Sequence, residues 1–387
     1  MCLYPIEREF TSRQAVEAIK LWLKEHNLHS SLYTTEDNLV ATVELSSSTG
    51  SPLSSGSGKG SWAVTGAYFE AFEHMMLKHH FTSSHIEVVQ LKDWLRSKNC
   101  HPQCLFGKTL TEYDNDLLKF SNYRSILSLE KYLVPETLVN PSYIETLQPN
   151  DAYCFLNKYT SNSGWASGSS FEETVLHGAN EVVERHCLSE LYKQYIGFSE
   201  YTGEFYRIIP PKELLQKYQL SLPNIDEVSF IMSTTLFDSY FCACVMPSTA
   251  SPMAFRSSGV SYSEFHAIER ALSELVQNIE NYDDAELDCD LKVTEFLNKY
   301  DKLCQITDLS KLDRLPLMDF SNLKQDSMDF RDHYGSLLSS IKEKEYDLLV
   351  HTAFGQEKIW LTSTYIPGLE RFNIIDKGKL VVPLGRK

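Results

Sequence analysis

The sequence contains no run of about 18 apolar residues, so no helix in it is expected to span a membrane. It is also short of positive charge: 36 Lys and Arg stand against 52 Asp and Glu, a formal net charge of −16. That deficit argues against non-specific nucleic-acid binding, which needs clustered cations to neutralise phosphates. It leaves a nucleotide open, because Mg2+ can handle that charge locally. No secretory signal opens the chain, since MCLYPIEREF turns polar almost at once. The nine cysteines, an odd number, are therefore expected as reduced thiols in a cytoplasm. Cys100 with Cys104, and Cys242 with Cys244, invite zinc, but the spacings are irregular and no second pair completes either. No internal repeat or low-complexity tail stands out. What is present suffices for a large core: 387 residues, 42% hydrophobic, as one large domain or two medium ones.

Residues 8–26 have the pattern of an amphipathic helix and 39–45 that of a strand. The Ser/Gly-rich run 46–60 is expected as a loop inside a domain, because a compact helix follows at once. That helix, residues 61–80, is apolar nearly all round. Trp62, Tyr68, Phe69, Phe72, Met75 and Met76 leave it no polar face, which predicts burial. Yet Glu70 and Glu73 sit within it. Buried unpaired carboxylates are costly, so both must be paired, protonated, metal-bound or facing a cavity; an internal salt bridge is the plain alternative. Residues 87–94 and 126–132 carry mixed signals. Residues 230–245, β-branched and aromatic, predict buried strands, and 346–350 and 359–366 predict late strands. A third helix over 263–282 turns Phe265, Ile268, Leu272, Leu275 and Ile279 to the core, with Arg270, Glu274 and Gln277 opposite.

The stretch 161–191 organises the rest. It reads as a Gly/Ser-rich loop running into one long helix, with Ser169 or Ser170 as N-cap and Glu172 or Glu173 closing a capping box. Phe171, Val175, Val182 and Val183 gather on one side. Glu173, His177, Asn180, Glu181 and Glu184 fall within roughly 100° of arc on the other, with Arg185 at its margin. A solvated charged face on a surface helix would look the same. Two features count against it: the small residues of WASGSS let backbone approach a ligand closely, and clustered carboxylates without matching lysines repel unless a cation sits between them.

Several chemistries fail on spacing. GSGKGS at 56–61 is no phosphate loop, because Leu53 stands where a Gly is needed and Gly60 follows Lys59. A di-iron site needs Glu-x-x-His, whereas His74 and His186 come one and two residues after Glu73 and Glu184. Paired glycosidase carboxylates stay open but leave the Gly/Ser loop unexplained. A hard-cation site suits the rest: glutamates from two helices holding Mg2+ and a triphosphate, with Arg185 or Arg270 on phosphate oxygens. His177 and His186 lie on the same helix, but neither is assigned as a general base.

These residues carry a resemblance. The chain resembles the YcaO family, ATP-dependent enzymes that activate peptide backbone amides. Gly58, Lys59 and Gly60 precede a helix with Glu70 and Glu73; an S-N-G-x-A-x-G…E-x-x-E-R pattern lies within 161–185; and an A-x-x-R-A-L-x-E-x-x-Q helix covers 267–277. YIPGLERF at 365–372 is similar to the family's late strand and turn. The resemblance implies one α/β (α+β) domain over 1–387, with mixed and antiparallel sheets flanked by helices around a central ATP/Mg2+ pocket. Within it, 1–57 would form an N-terminal lobe, 58–290 the nucleotide-binding core and 291–387 a C-terminal lobe. Glu70, Glu73, Glu181 and Glu184 would ligate Mg2+; Ser169, Glu173 and Arg185 would lie along the nucleotide; Arg8 would be a basic phosphate contact; and Arg270, Glu274 and Gln277 would complete the pocket.

The implied activity is amide O-phosphorylation by ATP during biosynthesis of a ribosomally made peptide. Cyclodehydration of Cys, Ser or Thr to an azoline comes first, with thioamide or amidine formation on the same scaffold as the alternative. From another class, a non-catalytic homologue could bind peptide or a partner enzyme. The implied partners are a precursor peptide and a separate leader-peptide-binding or ubiquitin-activating-enzyme-like protein; a homodimer is also compatible. The chain departs from the family pattern in places. The segment from GKG to Glu70 is about one helical turn short. Asn162 and Ser163 reverse the usual order, Ser169 stands where many members have Asn, Ile279 falls where Arg is frequent, and LVVPLGRK lacks a Pro-rich tail.

Overall fold

The computed structural model describes residues 6–80, 86–140, 150–198 and 205–384. The opening residues 1–5 and the last three residues of LVVPLGRK lie outside the described residues. Among those described, the strands form three sheets. His29–Thr34, Val40–Ser46 and Pro52–Lys59 make an antiparallel meander. A five-stranded sheet runs in the order Phe255–Ser261, Tyr240–Met246, Ser229–Thr234, Tyr206–Ile209, Leu317–Asp319, with only the last pair parallel. The six-stranded sheet is antiparallel and runs Ile86–Gln90, Leu117–Ser125, Leu349–Gln356, Ile359–Tyr365, Trp165–Gly168, with Lys131–Pro135 also pairing to Leu117–Ser125.

Three helices tie the sheets together. The helix Ala63–His80 packs on the meander and reaches Trp165–Gly168. The long helix Phe171–Tyr195 lies between the six-stranded sheet and Phe255–Ser261 of the five-stranded one. The helix Glu264–Glu280 covers Phe255–Ser261 and Tyr240–Met246 and also touches Pro52–Lys59. Each therefore bridges two layers, and each packs its apolar residues into a different hydrophobic cluster. The expected lobe boundaries cut through elements: residue 57 falls inside the strand Pro52–Lys59 and residue 290 inside the helix Asp284–Leu297.

Local chemistry accounts for most of the differences from expectation. The first helix starts at Ser12 instead of residue 8, because Thr11 and Gln14 form a reciprocal capping box and the residues before them are held by side-chain contacts elsewhere. The Ser/Gly run is a strand from Pro52 to Lys59, not a loop. Its glycines serve close packing: a Cβ on Gly56 would lie 2.1 Å from Ala71 N, and one on Gly58 would lie 1.8 Å from Ala63 O. Trp165–Gly168 is likewise a strand, and Ser170 caps the long helix by accepting from Glu173 N at 3.2 Å. Gly164 precedes that strand at φ +97°, with the position of its absent Cβ 2.0 Å from Thr364 O. The long helix is no half-solvated surface element. Val175, Leu176, Ala179 and Val183 are buried, and so are Glu173, Asn180 and Glu184 on the face expected to hold a cation.

Gly58→Ala should destabilise the fold by about 1–3 kcal/mol or more, because backbone would have to move to admit one methyl group. Gly335→Ala, on the exposed face of the helix Phe330–Glu343 with open space around it, should stabilise by roughly 0.5–1 kcal/mol. Urea melts of the two variants measure the contrast.

Candidate functional site

The three bridging helices present their polar faces to one cavity of about 700 Å3. Glu70 and Glu73 come from the helix Ala63–His80, Glu181, Glu184 and Arg185 from the long one, and Arg270, Glu274 and Gln277 from the helix Glu264–Glu280; Arg8 joins from the segment before the helix Ser12–Glu25. Ser169 and Glu173, expected along the nucleotide, stand outside the cavity wall. Glu173 instead accepts from Arg8 NH1 at 2.6 Å, so its contact with the site runs through that arginine. Ser169 is buried beside the helix start, where Ser170 does the capping.

The cavity holds more carboxylates than its cations compensate. Glu73 accepts from Ser167 N at 3.0 Å, but desolvation, then the charges of Glu181 and Glu70, push its pKa to about 8. Desolvation also raises Glu181, to about 7, with Glu184 adding to the rise and Arg185 opposing it. Glu70 is raised as well, by burial first, although His74 and the Ser57 N–H pull the other way. Other members are balanced. Burial works against ionisation of Glu274, but Lys59 at 2.6 Å and Arg185 outweigh it and hold the group below its ordinary range. Burial likewise opposes the Arg185 cation, and Glu184, Glu181 and Glu274 more than restore it. Glu184 accepts from Ser258 Oγ at 2.8 Å and lies 3.4 Å from Arg185 NH1.

This donor set fits a hard cation. Among the described residues no three His, Cys, Asp or Glu side chains form a metal-binding cluster. Mg2+ does not need one, since it takes one or two carboxylates together with phosphate and water oxygens. Glu73 senses the charge of Glu181 from a different helix, and both are pushed toward the protonated form, which is the condition a divalent ion relieves. Arg8, Arg185 and Arg270 supply guanidinium groups suited to phosphate oxygens.

Sequence reasoning missed several residues here. Lys59 does not cradle phosphate from a loop; it is the counter-ion of Glu274. Asn281 continues the Arg270, Glu274, Gln277 face by one more turn and lines the cavity, so its helical spacing was the available signal. Asn162, Asp376 and Lys377 also line it, without any periodic signal. Of the two histidines, His186 accepts from Glu370 N at 3.1 Å and burial lowers its pKa to about 4, whereas His177 lines the cavity. Burial, then Arg8 and Arg270, keep His177 well below its ordinary range, so it is neutral at physiological pH.

A pH dependence follows. Folded Glu73 and Glu181 retain protons that the unfolded chain releases near 4.5, so without Mg2+ their contribution to stability is fullest below that value and is lost as pH rises through about 7 and 8. Cation binding expels those protons. The thermal shift given by Mg2+ with a non-hydrolysable ATP analogue should therefore grow between about pH 6 and about pH 8.5, and Glu73→Gln should flatten that growth.

The model of a family described as YcaO cyclodehydratase, ATP- and Mg2+-binding, matches residues 57–370. No curated protein matches. Among solved structures, the chain is similar to the YcaO from Methanopyrus kandleri bound with AMPPCP and Mg2+, at 14% identity and a TM-score of 0.64, over 98% of this chain and 96% of that one. It is similar to a heterocyclase in complex with substrate and cofactor, at 18% identity and a TM-score of 0.65, over 95% of this chain and 54% of that one. A chain of the E. coli microcin synthetase McbBCD complex with pro-MccB17 bound is similar at 14% identity and a TM-score of 0.58, over 89% and 88%. At these identities the likeness is one of fold. The family match, spanning most of the chain and all three bridging helices, carries the assignment: the chain belongs to the YcaO family of ATP- and Mg2+-binding cyclodehydratases.

Proposed function

We propose that the protein uses ATP to O-phosphorylate a peptide backbone amide and so closes Cys, Ser or Thr residues of a precursor peptide to thiazolines or oxazolines. One observation carries this: a cavity walled by under-compensated glutamates and by arginines, in a family that binds ATP and Mg2+. Amide oxygen is a poor leaving group and phosphate a good one. In the proposed sequence the substrate's own side-chain nucleophile loses its proton and adds to the preceding carbonyl, closing the ring; the resulting oxyanion takes the γ-phosphoryl group with release of ADP, and phosphate departs as the former amide nitrogen gives up its proton and the C=N bond forms. Glu70, Glu73, Glu181 and Glu184 are the residues that would hold Mg2+, which supplies charge neutralisation on the triphosphate. Arg8, Arg185 and Arg270 neutralise phosphate oxygens, and Glu274 with Lys59 keeps Arg185 and the adjoining strand in place. Catalysis is then mainly positioning and electrostatic stabilisation.

The proposed partners are the precursor peptide and a separate polypeptide that delivers it. Support comes from relatives of the same fold, one in complex with substrate and cofactor and one in a synthetase complex with pro-MccB17 bound. Free thiols at the eight described cysteines and the use of ATP suit a cytoplasmic site of action. Among the described residues no helix is long and apolar enough to cross a membrane.

Incubation with ATP, Mg2+ and the precursor peptide, followed by mass spectrometry, tests the proposal. Loss of one water per Cys, Ser or Thr, together with phosphate release, is expected. Exchange of oxygen for sulfur would replace azoline formation by thioamidation, and absence of phosphate release would overturn the ATP chemistry. Glu184→Gln, which keeps the shape of a buried group, should lower turnover on the order of 100-fold or more; full activity would remove its metal role.

A further inference from the structure

Glu7 lies behind the cavity wall, outside the residues that line it, and is fully buried. Its backbone adopts φ +62°, a left-handed conformation unfavourable for a residue with a Cβ. Such strain persists only where the surroundings over-determine it, and here they do. One carboxylate oxygen accepts from Ser261 Oγ at 2.7 Å and Asn180 Nδ2 at 3.3 Å, and lies 3.4 Å from His333 Nδ1. The other meets Arg270 NH1 at 3.2 Å, with His266 Nε2 at 3.8 Å. These partners come from a strand end and three separate helices, so a single carboxylate is the common counter-charge where those elements meet.

The residue beside it is clamped in the opposite sense. Arg8 pairs with Glu173 at 2.6 Å, and Glu9 N points to the other Glu173 oxygen at 3.4 Å. Consecutive residues of one short segment thus engage two charges of opposite sign, and the two arginines involved, Arg8 and Arg270, both line the cavity. Arginine gains most from phosphate when its planar fork is fixed before the anion arrives, because its side chain otherwise loses rotamer freedom on binding. Glu7 holds Arg270 through one terminal nitrogen.

We infer that Glu7 is a positioning residue for the nucleotide site: from behind the wall it fixes the guanidinium of Arg270 toward the triphosphate. The inference rests on the ATP-binding reading above. A purely structural anchor would share Glu7's burial, so stability alone does not separate the two roles.

A double-mutant cycle on ligand affinity does. Binding of a non-hydrolysable ATP analogue with Mg2+ is measured by calorimetry on the full chain, for wild type, Glu7→Gln, Arg270→Gln and the double variant, with thermal midpoints recorded alongside. Glu7→Gln keeps the size of the side chain and its acceptor for Ser261, and should weaken binding about tenfold. The double variant should bind no more weakly than Arg270→Gln alone. Unchanged affinity in Glu7→Gln, or losses that multiply in the double variant, would overturn the inference. Glu7→Asp, which keeps the charge but draws it back by one methylene, carries the same cycle should Glu7→Gln fail to fold. Wild type that binds no nucleotide would sink the ATP reading itself, and this role with it; wild type that binds, with multiplying losses, overturns only the role of Glu7.

Discussion

Like charges crowded into a single desolvated cleft impose the condition that the rest of this structure answers. Glu70, Glu73, Glu181, Glu184 and Glu274 all face the same cavity, and each loses water on entering it. Lys59 holds Glu274 ionised, and Arg185 stands against Glu184 and Glu181. Glu73 and Glu181 remain under-compensated and shift toward the protonated form. An ionised buried carboxylate without a partner is strongly disfavoured, so a site of this composition suits a cation from solution. That is the physical sense in which an acidic pocket and an acidic ligand share one cavity.

Holding such charges together demands rigid elements. The three helices that supply them each bridge two layers, and close approaches fix each one: Gly56 and Gly58 lie against the helix Ala63–His80, Gly178 of the long helix against Gly164, and Gly259 against the helix Glu264–Glu280. Small residues there act through what they omit. Without a Cβ, the strand Pro52–Lys59 lies directly on the helix bearing Glu70 and Glu73, and Ser57 can meet both Glu70 and, through its carbonyl, Gln277 at 2.6 Å. The glycines of the GKG stretch are thus packing devices, and its lysine is a counter-ion. The phosphate-loop likeness is local composition without the corresponding geometry.

A second layer of ionic order lies behind the first. Arg8 and Arg270 face the cavity, while Glu173 and Glu7 hold them from within the protein. Charges thus alternate from the cavity inward, and residues 6–11, before the helix that starts at Ser12, supply Arg8 to the site from outside any helix or strand. His266 and His333 share the carboxylate of Glu7. Its negative charge is favoured despite full burial because those neighbours outweigh desolvation.

The sequence by itself determined the burial of the helix at residues 61–80, because an apolar surface all round leaves it no face for water; what its two glutamates meet stayed open. It also determined the helical faces bearing Glu181, Glu184 and Arg185, and Arg270, Glu274 and Gln277, since helical periodicity places residues on a face without reference to the rest of the chain. Tertiary structure alone decided that the Ser/Gly run is a strand, because its small residues are explained only by the helix that lies on them. It alone decided that Glu173 serves Arg8, that Lys59 serves Glu274, and that Glu7 sits at the meeting point of four elements. Periodicity reports which way a side chain points within its own element; which charge it finds there depends on elements distant in the chain, and only packing brings those together.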